Sequence, residues 1–369
     1  MKIPFVDLKG QYLSIKSDID GAIEQVLTET SFIGGKHVND FEESFQTLYG
    51  VKHCISVANG TDSLYIIMKM LGIGVGDEVI TSAYSWISSS ETISQTGAKP
   101  IFVDIDEFFT IGASLIESKI TSKTKAILPI HIHGQACQMD VIMDIAKRHN
   151  LHVIEDCAQS HFTEFKRTRA GVMGIAGSFS FYPGKNLGAY GDAGCIITND
   201  DDLPRRCKLY ARHGALKKHQ HEIEGINSRL DGIQAAILKA KLPHILNWTA
   251  ERQKNAKLYN QYLKDIKEIE LPILREDTSH SFHLYVIKTP KRQELIKYLA
   301  ERGIETSVHY PVSLPNMKAY EYLEINKAEF PNAIGNESII LSLPMFPELK
   351  EAEIAYVAEQ IGNFFKNVE

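Results

Sequence analysis

The sequence predicts an α/β protein: a sheet containing parallel strands, flanked by helices and followed by a smaller C-terminal unit. Between His53 and about Asn199, short apolar runs alternate with segments of helical spacing, as in βαβ units. Past about Leu230 the pattern becomes helical over a long stretch before strand-like runs return. The chain has 369 residues, longer than a single core usually supports, so a large domain plus a smaller one is expected. We place these at residues 1–245 and 246–369.

Taken in order, the predicted strands are Cys54 to Ala58, Glu78 to Thr81, Pro100 to Val103, Ala126 to His131, Leu151 to Asp156, Ser178 to Tyr182 and Gly194 to Thr198. Thr61 to Met70 and Met139 to His149 have helical spacing. A further helical stretch runs from Leu230 to Leu263, with a break or kink expected at Pro243, which has no N–H to donate. A strand at Phe282 to Ile287, a helix at Arg292 to Arg302 and a terminal helix at Glu351 to Phe365 complete the series. Gly72-Ile73-Gly74-Val75-Gly76 follows a helix and precedes a strand, the reverse of a dinucleotide loop, and reads as a turn.

Composition narrows the function. A hydrophobic fraction of 44% suits a globular protein, and a net charge of −6 gives no global field to attract nucleic acid. An anionic ligand must be held by a local site. Five widely spaced cysteines without a C-x-x-C pair fit a reducing compartment. The N-terminal residues lack a secretory pattern and no apolar run approaches membrane-spanning length, so a cytoplasmic protein without membrane association is expected. Neither His131 with His133 nor His219 with His221 is accompanied by a third ligand at supporting spacing, and no metal is expected.

Two residues point to pyridoxal phosphate chemistry. Lys185 stands in Phe179-Ser180-Phe181-Tyr182-Pro183-Gly184-Lys185-Asn186-Leu187-Gly188, where a lysine amine at a strand-to-turn junction can form a Schiff base with the cofactor aldehyde. Asp156, ending an apolar strand in Val153-Ile154-Glu155-Asp156-Cys157-Ala158-Gln159-Ser160-His161, can keep the pyridine nitrogen protonated. Each has a plainer reading alone: a solvated lysine beside a Pro-Gly turn, and a helix cap. Asn59-Gly60-Thr61-Asp62 follows a strand and opens a helix, a phosphate cradle or an ordinary N-cap at Thr61 or Asp62. Ser180 can add a hydroxyl there or serve as a small strand residue. Trp86 can stack on a pyridine ring or fill core, and the Gln159 amide can reach the cofactor's phenolic oxygen. The basic run Arg212 to His219 reads as a sugar-diphosphate contact or a solvated loop, and Lys217 and His219 are its candidate substrate residues.

These motifs, with Asn227-Ser228-Arg229-Leu230-Asp231 and Val308-His309-Tyr310-Pro311, resemble in order those of the DegT/DnrJ/EryC1/StrS nucleotide-sugar aminotransferases over nearly the whole chain. The resemblance implies the aspartate-aminotransferase-like fold (fold type I), with a mostly parallel mixed seven-stranded sheet and a smaller α+β C-terminal domain. It also implies a homodimer with active sites at the subunit interface. The expected activity is transfer of an amino group from L-glutamate to a nucleotide-linked keto sugar, with pyridoxal 5′-phosphate cycling through pyridoxamine phosphate. Carried over by position, Lys185 is the Schiff-base lysine and proton shuttle, Asp156 the partner of the pyridine nitrogen and Gln159 the contact to the phenolic oxygen. Gly60, Thr61 and Ser180 hold the phosphate, Asn227 reaches it from the neighbouring subunit, and Trp86 stacks on the ring. His309 and Tyr310 are substrate residues.

Gly184-Lys185-Asn186-Leu187-Gly188-Ala189 and Gly191-Asp192-Ala193-Gly194 are similar to members that aminate C-3 of a 3-keto-6-deoxy sugar, with dTDP the expected nucleotide; amination at C-4 is the alternative. Lysine at position 185 argues against the dehydratase branch, which has histidine there. A cofactor-binding sensory protein and a nicotinamide-dependent oxidoreductase are rivals of other classes, the second lacking its fingerprint. The chain departs from the family pattern at Phe162, Cys157, the His131-Ile132-His133 segment and Pro315-Asn316-Met317, which bear on the sugar pocket more than on the cofactor site.

Overall fold

The computed structural model describes residues 1–366. Its centre is a seven-stranded sheet: β1 (His53–Val57), β2 (Glu78–Ser82), β3 (Lys99–Val103), β4 (Thr124–Leu128), β5 (His152–Asp156), β6 (Ala176–Ser180) and β7 (Gly194–Thr198). The strand order is β1-β7-β6-β5-β4-β2-β3. β7 is antiparallel to both its neighbours and the other pairings are parallel, giving the mostly parallel mixed sheet expected. All strands but β7 therefore end on one edge, where an open α/β sheet binds ligands.

Two strand ends differ from the sequence expectation. The run Ala126 to His131 stops pairing at Leu128, because Pro129 has no N–H for the ladder; Ile130 keeps only an isolated bridge to Asp156. The run Ser178 to Tyr182 lies in β6 only as far as Ser180, after which the Tyr182 carbonyl accepts from the Lys185 N–H and the chain turns.

Helices cover both faces. The helix Lys36–Tyr49, not foreseen from the sequence, turns Phe41, Phe45 and Tyr49 inward at helical spacing. Phe45 meets Phe179 and Phe181 of the sheet with ring centroids 5.5 Å apart, so an aromatic slab backs the strand that leads to Lys185. The helix Gly60–Met70 buries Leu64, Ile66, Ile67 and Met68 on the other side of the sheet, each contributing about 1.5–3 kcal/mol by leaving water.

The long helical stretch is divided at Pro243 as expected: Gly232–Lys241, a 3₁₀ turn at Leu242–His244, then Ile245–Leu263. The last of these packs with the terminal helix Glu351–Lys366 and the antiparallel pair β8 (Tyr285–Lys288) and β9 (Ile340–Leu343) around a core that includes Tyr259, Tyr285 and Leu343. β8 begins three residues later than the sequence suggests. Ser281 and Leu284 give their N–H groups to the carbonyls of Gly134 and His133 instead of to a strand partner, and Phe282 has φ +43°. Segments distant in sequence share each core: Ile3 pairs with Ile304 and joins the core around Tyr259, while Leu314, Tyr320 and Phe330 pack on the sheet core.

Candidate active site

Strand ends, two helix starts and the loop carrying His309 and Tyr310 build a cavity of about 710 Å³ at the C-terminal edge of the sheet. The helix Gly60–Met70 opens onto it. Its cap is Asn59, whose side chain accepts from the Asp62 N–H at 2.8 Å, rather than Thr61 or Asp62. That leaves the Thr61 side chain at the cavity wall, where its hydroxyl meets Ser88 Oγ at 2.8 Å. Gly60 permits the close approach of helix to strand: a Cβ there would lie 2.7 Å from Ser180 Cβ and 3.1 Å from Ser180 Cα. Ser63 Oγ and Ser178 Oγ, 2.6 Å apart and buried, fasten the same junction.

Asp156 ends β5. One carboxylate oxygen accepts from the Ala158 N–H at 3.0 Å, and the residue lines the cavity. Burial raises its pKa, a cost that a cationic N–H partner offsets. Lys185 also lines the cavity, on the turn after β6. Burial lowers its amine to about pKa 8, outweighing the opposing pull of Asp156. Near neutral pH it therefore has a far larger unprotonated fraction than an ordinary lysine.

Gln159 is gripped at both ends of its amide. Its oxygen accepts from the His133 N–H at 2.6 Å, and its nitrogen donates to the Tyr310 hydroxyl at 2.8 Å, leaving one amide hydrogen without an acceptor among the described residues. Trp86, 59% exposed, stands at the cavity mouth with its ring 5.8 Å from that of Tyr310. His309 also lines the cavity. Its backbone carbonyl accepts from the Tyr84 hydroxyl, and burial, reinforced by the Lys185 charge, holds its imidazole near pKa 4, hence neutral.

Gly60, Thr61, Trp86, Asp156, Gln159, Ser180, Lys185, His309 and Tyr310 thus share one cavity. Asn227 does not line it: it is exposed and bridges Arg212. Lys217 and His219 line a separate groove of about 530 Å³ with Arg212 and Arg229. Sequence reasoning missed Ser88, Asp192 and the Tyr84 and His133 supports. Of these, Ser88 was the most accessible, since it sits just past a strand end beside Trp86 and opens the helix Ser88–Thr96.

Two departures from the family pattern have structural explanations. Phe162 has φ +58°, a conformation glycine adopts freely, and is held by its ring packing at a tilt against Tyr49, centroids 4.7 Å apart, whose hydroxyl accepts its N–H. His131, Glu155 and Cys157 bring possible metal-ligand atoms within 4.8 Å of one another. The Glu155 oxygens, however, accept from His131 and from the N–H groups of Gly171, Met173 and Gly174, so the buried carboxylate ties β5 to the loop before β6.

The donor set fits pyridoxal phosphate. A helix N-terminus with Gly60, Thr61 and Ser180 suits the phosphate, buried Asp156 suits a protonated ring nitrogen, and the Lys185 amine suits the aldehyde. Bound there, the cofactor supplies the electron sink that amino-group transfer requires.

Comparison with known proteins agrees with this chemistry. The model of the DegT/DnrJ/EryC1/StrS aminotransferase family matches residues 13–362. The chain is 42% identical to a pleiotropic regulatory protein of Geobacillus stearothermophilus, over the full length of both. It is 41% identical to dTDP-3-amino-3,6-dideoxy-alpha-D-galactopyranose transaminase of Aneurinibacillus thermoaerophilus, covering 98% of this chain and 99% of the relative. The crystal structure of Streptomyces venezuelae DesV in complex with a ketimine intermediate superposes with a TM-score of 0.95 at 36% identity, covering 98% of each chain. The chain belongs to the DegT/DnrJ/EryC1/StrS family of pyridoxal-phosphate-dependent sugar aminotransferases.

Proposed function

We propose that this protein moves the amino group of L-glutamate to C-3 of a dTDP-linked 3-keto-6-deoxyhexose, giving a 3-amino-3,6-dideoxy sugar nucleotide. The observation that carries the reading is the meeting of Lys185 and Asp156 in one cavity, large enough for a cofactor and a sugar ring. Lys185 Nζ, kept partly unprotonated by burial, is the base that takes the α-proton of glutamate and the acid that later delivers a proton to sugar C-3. Asp156 holds the cofactor's ring nitrogen in its protonated form, and Gln159 directs its remaining amide hydrogen at the phenolic oxygen. Trp86 stacks on the ring, while His309 and Tyr310 face the sugar.

C-3 as the position rests on the Gly184 to Ala189 and Gly191 to Gly194 segments and on the 3-amino sugar in the name of the Aneurinibacillus relative. Lys185 is the only lysine or arginine among the described residues lining the cavity, too little positive charge for a dicarboxylate donor and a nucleotide diphosphate. We therefore assign a homodimer in which Asn227, Lys217 and His219 serve the cavity of the neighbouring subunit. The five cysteines are all free and buried, which supports a cytoplasmic setting.

The test offers the enzyme glutamate with a panel of nucleotide-linked 3-keto and 4-keto 6-deoxy sugars and locates the new amine by NMR. Amination of a dTDP-linked 3-keto sugar alone is the expected result; an amine at C-4 would make this the C-4 enzyme. The name of the Geobacillus relative favours one other reading, a regulatory cofactor-binding protein, which predicts cofactor binding without any amino-group transfer.

A further inference from the structure

Asn186, the residue after Lys185, is 2% exposed and bonded at both ends of its amide. Its Nδ2 donates to the Ser281 carbonyl at 3.0 Å. A carbonyl can only accept, so the Asn186 oxygen must be the atom turned toward His283 Nδ1, 3.2 Å away, and Nδ1 must carry the hydrogen. Burial, reinforced by the nearby charges of Lys185 and Arg252, keeps the His283 imidazole neutral, which leaves Nε2 with a lone pair.

The segment that presents His283 is firmly held. Ser281 N–H and Leu284 N–H bond to the carbonyls of Gly134 and His133 at 3.0 and 3.2 Å. Arg252, buried, donates from Nη1 to the carbonyls of Phe282 at 3.2 Å and Met345 at 2.8 Å. At Gly134, φ is +103° and a Cβ would lie 2.6 Å from Ser281 Oγ, so this approach needs glycine. Other restraints on the lysine turn are the Lys185 N–H on the Tyr182 carbonyl, the Ala189 N–H on the Phe181 carbonyl and the buried Lys241 amine on the Gly188 carbonyl at 2.7 Å. On the side next to Lys185 that faces the C-terminal unit, Asn186 is held by its bonds to Ser281 and His283.

We propose that His283 is a positioning residue for Lys185, acting through Asn186, so that a rigid segment entering the C-terminal unit sets where the lysine amine stands. The proposal rests on the reading of Lys185 as the proton carrier, but its test does not depend on turnover. Removing the Nδ1 donor leaves the Asn186 oxygen buried and unpaired, which loosens the turn and lets the amine reach water.

The experiment compares wild type with His283→Leu and His283→Asn, the latter keeping an N–H donor near the Nδ1 position. In cofactor-free protein, the pH midpoint of Lys185 reductive methylation is read by peptide mass. In cofactor-loaded protein, the rate of reaction with glutamate is read by absorbance. His283→Leu should raise the midpoint toward that of an ordinary lysine and slow the glutamate reaction by roughly tenfold to a hundredfold, the scale of a small misplacement of a reacting group. His283→Asn should restore most of both.

An unchanged midpoint in His283→Leu, or an Asn variant as impaired as the Leu variant, overturns the proposal. Should His283→Leu not fold, His283→Phe keeps a ring in the same space and withdraws only the Nδ1 donor, leaving the Asn186 bond to Ser281 in place: a raised midpoint supports the assignment, and an unchanged one overturns it. If wild type itself fails to react with glutamate, the functional reading falls, and the midpoints still decide the role of His283.

Discussion

At the residue scale, Asp156 and Lys185 are both held away from their ordinary titration by burial, and each has a consequence for the cofactor-free protein. Asp156 has its pKa raised, so across the window between the ordinary carboxylate value and the raised one the unfolded chain binds fewer protons. Stability falls as pH rises through that window. Asp156→Asn removes the buried charge, and calorimetry of the cofactor-free variant at pH 7 should show melting a few degrees higher, on the order of 1 kcal/mol for a chain of this size, while amino transfer collapses.

Lys185 has the opposite sign of charge and a lowered pKa. Between about 8 and the ordinary value of 10.5 the unfolded chain binds more protons, so its contribution makes the protein more stable as pH rises through that interval. Lys185→Ala should abolish turnover and flatten this part of the pH–stability curve, yet still bind the cofactor, because Gly60, Thr61 and Ser180 are untouched. A Lys185→Ala protein that turned over normally would remove the lysine from the mechanism. Both residues were legible in the sequence because their neighbours form long motifs. His283 was not, because its part depends on a hydrogen bond to Asn186, nearly a hundred positions away in the chain.

At the scale of elements, the site depends on how closely the N-terminus of the helix Gly60–Met70 approaches β6. Gly60→Ala places a methyl carbon 2.7 Å from Ser180 Cβ, so helix and strand must separate. Overpacking of this kind costs roughly 1–3 kcal/mol. Titration of Gly60→Ala with pyridoxal phosphate should show affinity lowered by about tenfold or more, since the free N–H groups and Ser180 no longer converge on one point. The strand and helix pattern of the sheet domain was readable from period and length, and the Pro243 break from the missing N–H. The strand ends at Leu128 and Ser180 were less so, because apolar residues continue past both and only the missing Pro129 N–H and the 182–185 turn show where pairing stops. The helix Lys36–Tyr49 was legible in principle, since Val38, Phe41, Phe45 and Tyr49 recur at helical spacing; its signal lies in the period and not in an apolar run.

At the scale of the whole molecule, one chain brings together the candidate cofactor residues in one cavity but leaves Lys217, His219 and Asn227 outside it. The homodimer assignment gives these a use, and it makes a prediction that a single chain cannot satisfy. A Lys185→Ala subunit and a subunit carrying Lys217→Ala, His219→Ala and Asn227→Ala should each be inactive alone, and mixing them after dissociation should restore activity through hybrid dimers with one intact site. An active triple variant would put those residues outside catalysis, and no recovery from two inactive variants, with hybrids verified by mass, would place them in the same site as their own chain's Lys185. Sequence spacing could not decide this, because the partner's contribution depends on a symmetry operation that a single chain does not encode.

The most direct test of the central claim is the glutamate half-reaction. Purified protein loaded with pyridoxal phosphate is mixed with L-glutamate in the absence of any sugar, and the cofactor's long-wavelength absorbance is followed while 2-oxoglutarate is quantified. A cavity in which Lys185 carries the proton and Asp156 holds the ring nitrogen predicts loss of that absorbance with one 2-oxoglutarate formed per active site, both abolished in Lys185→Ala. An unchanged spectrum and no 2-oxoglutarate from correctly folded, cofactor-loaded protein would contradict glutamate-driven amino transfer at this site.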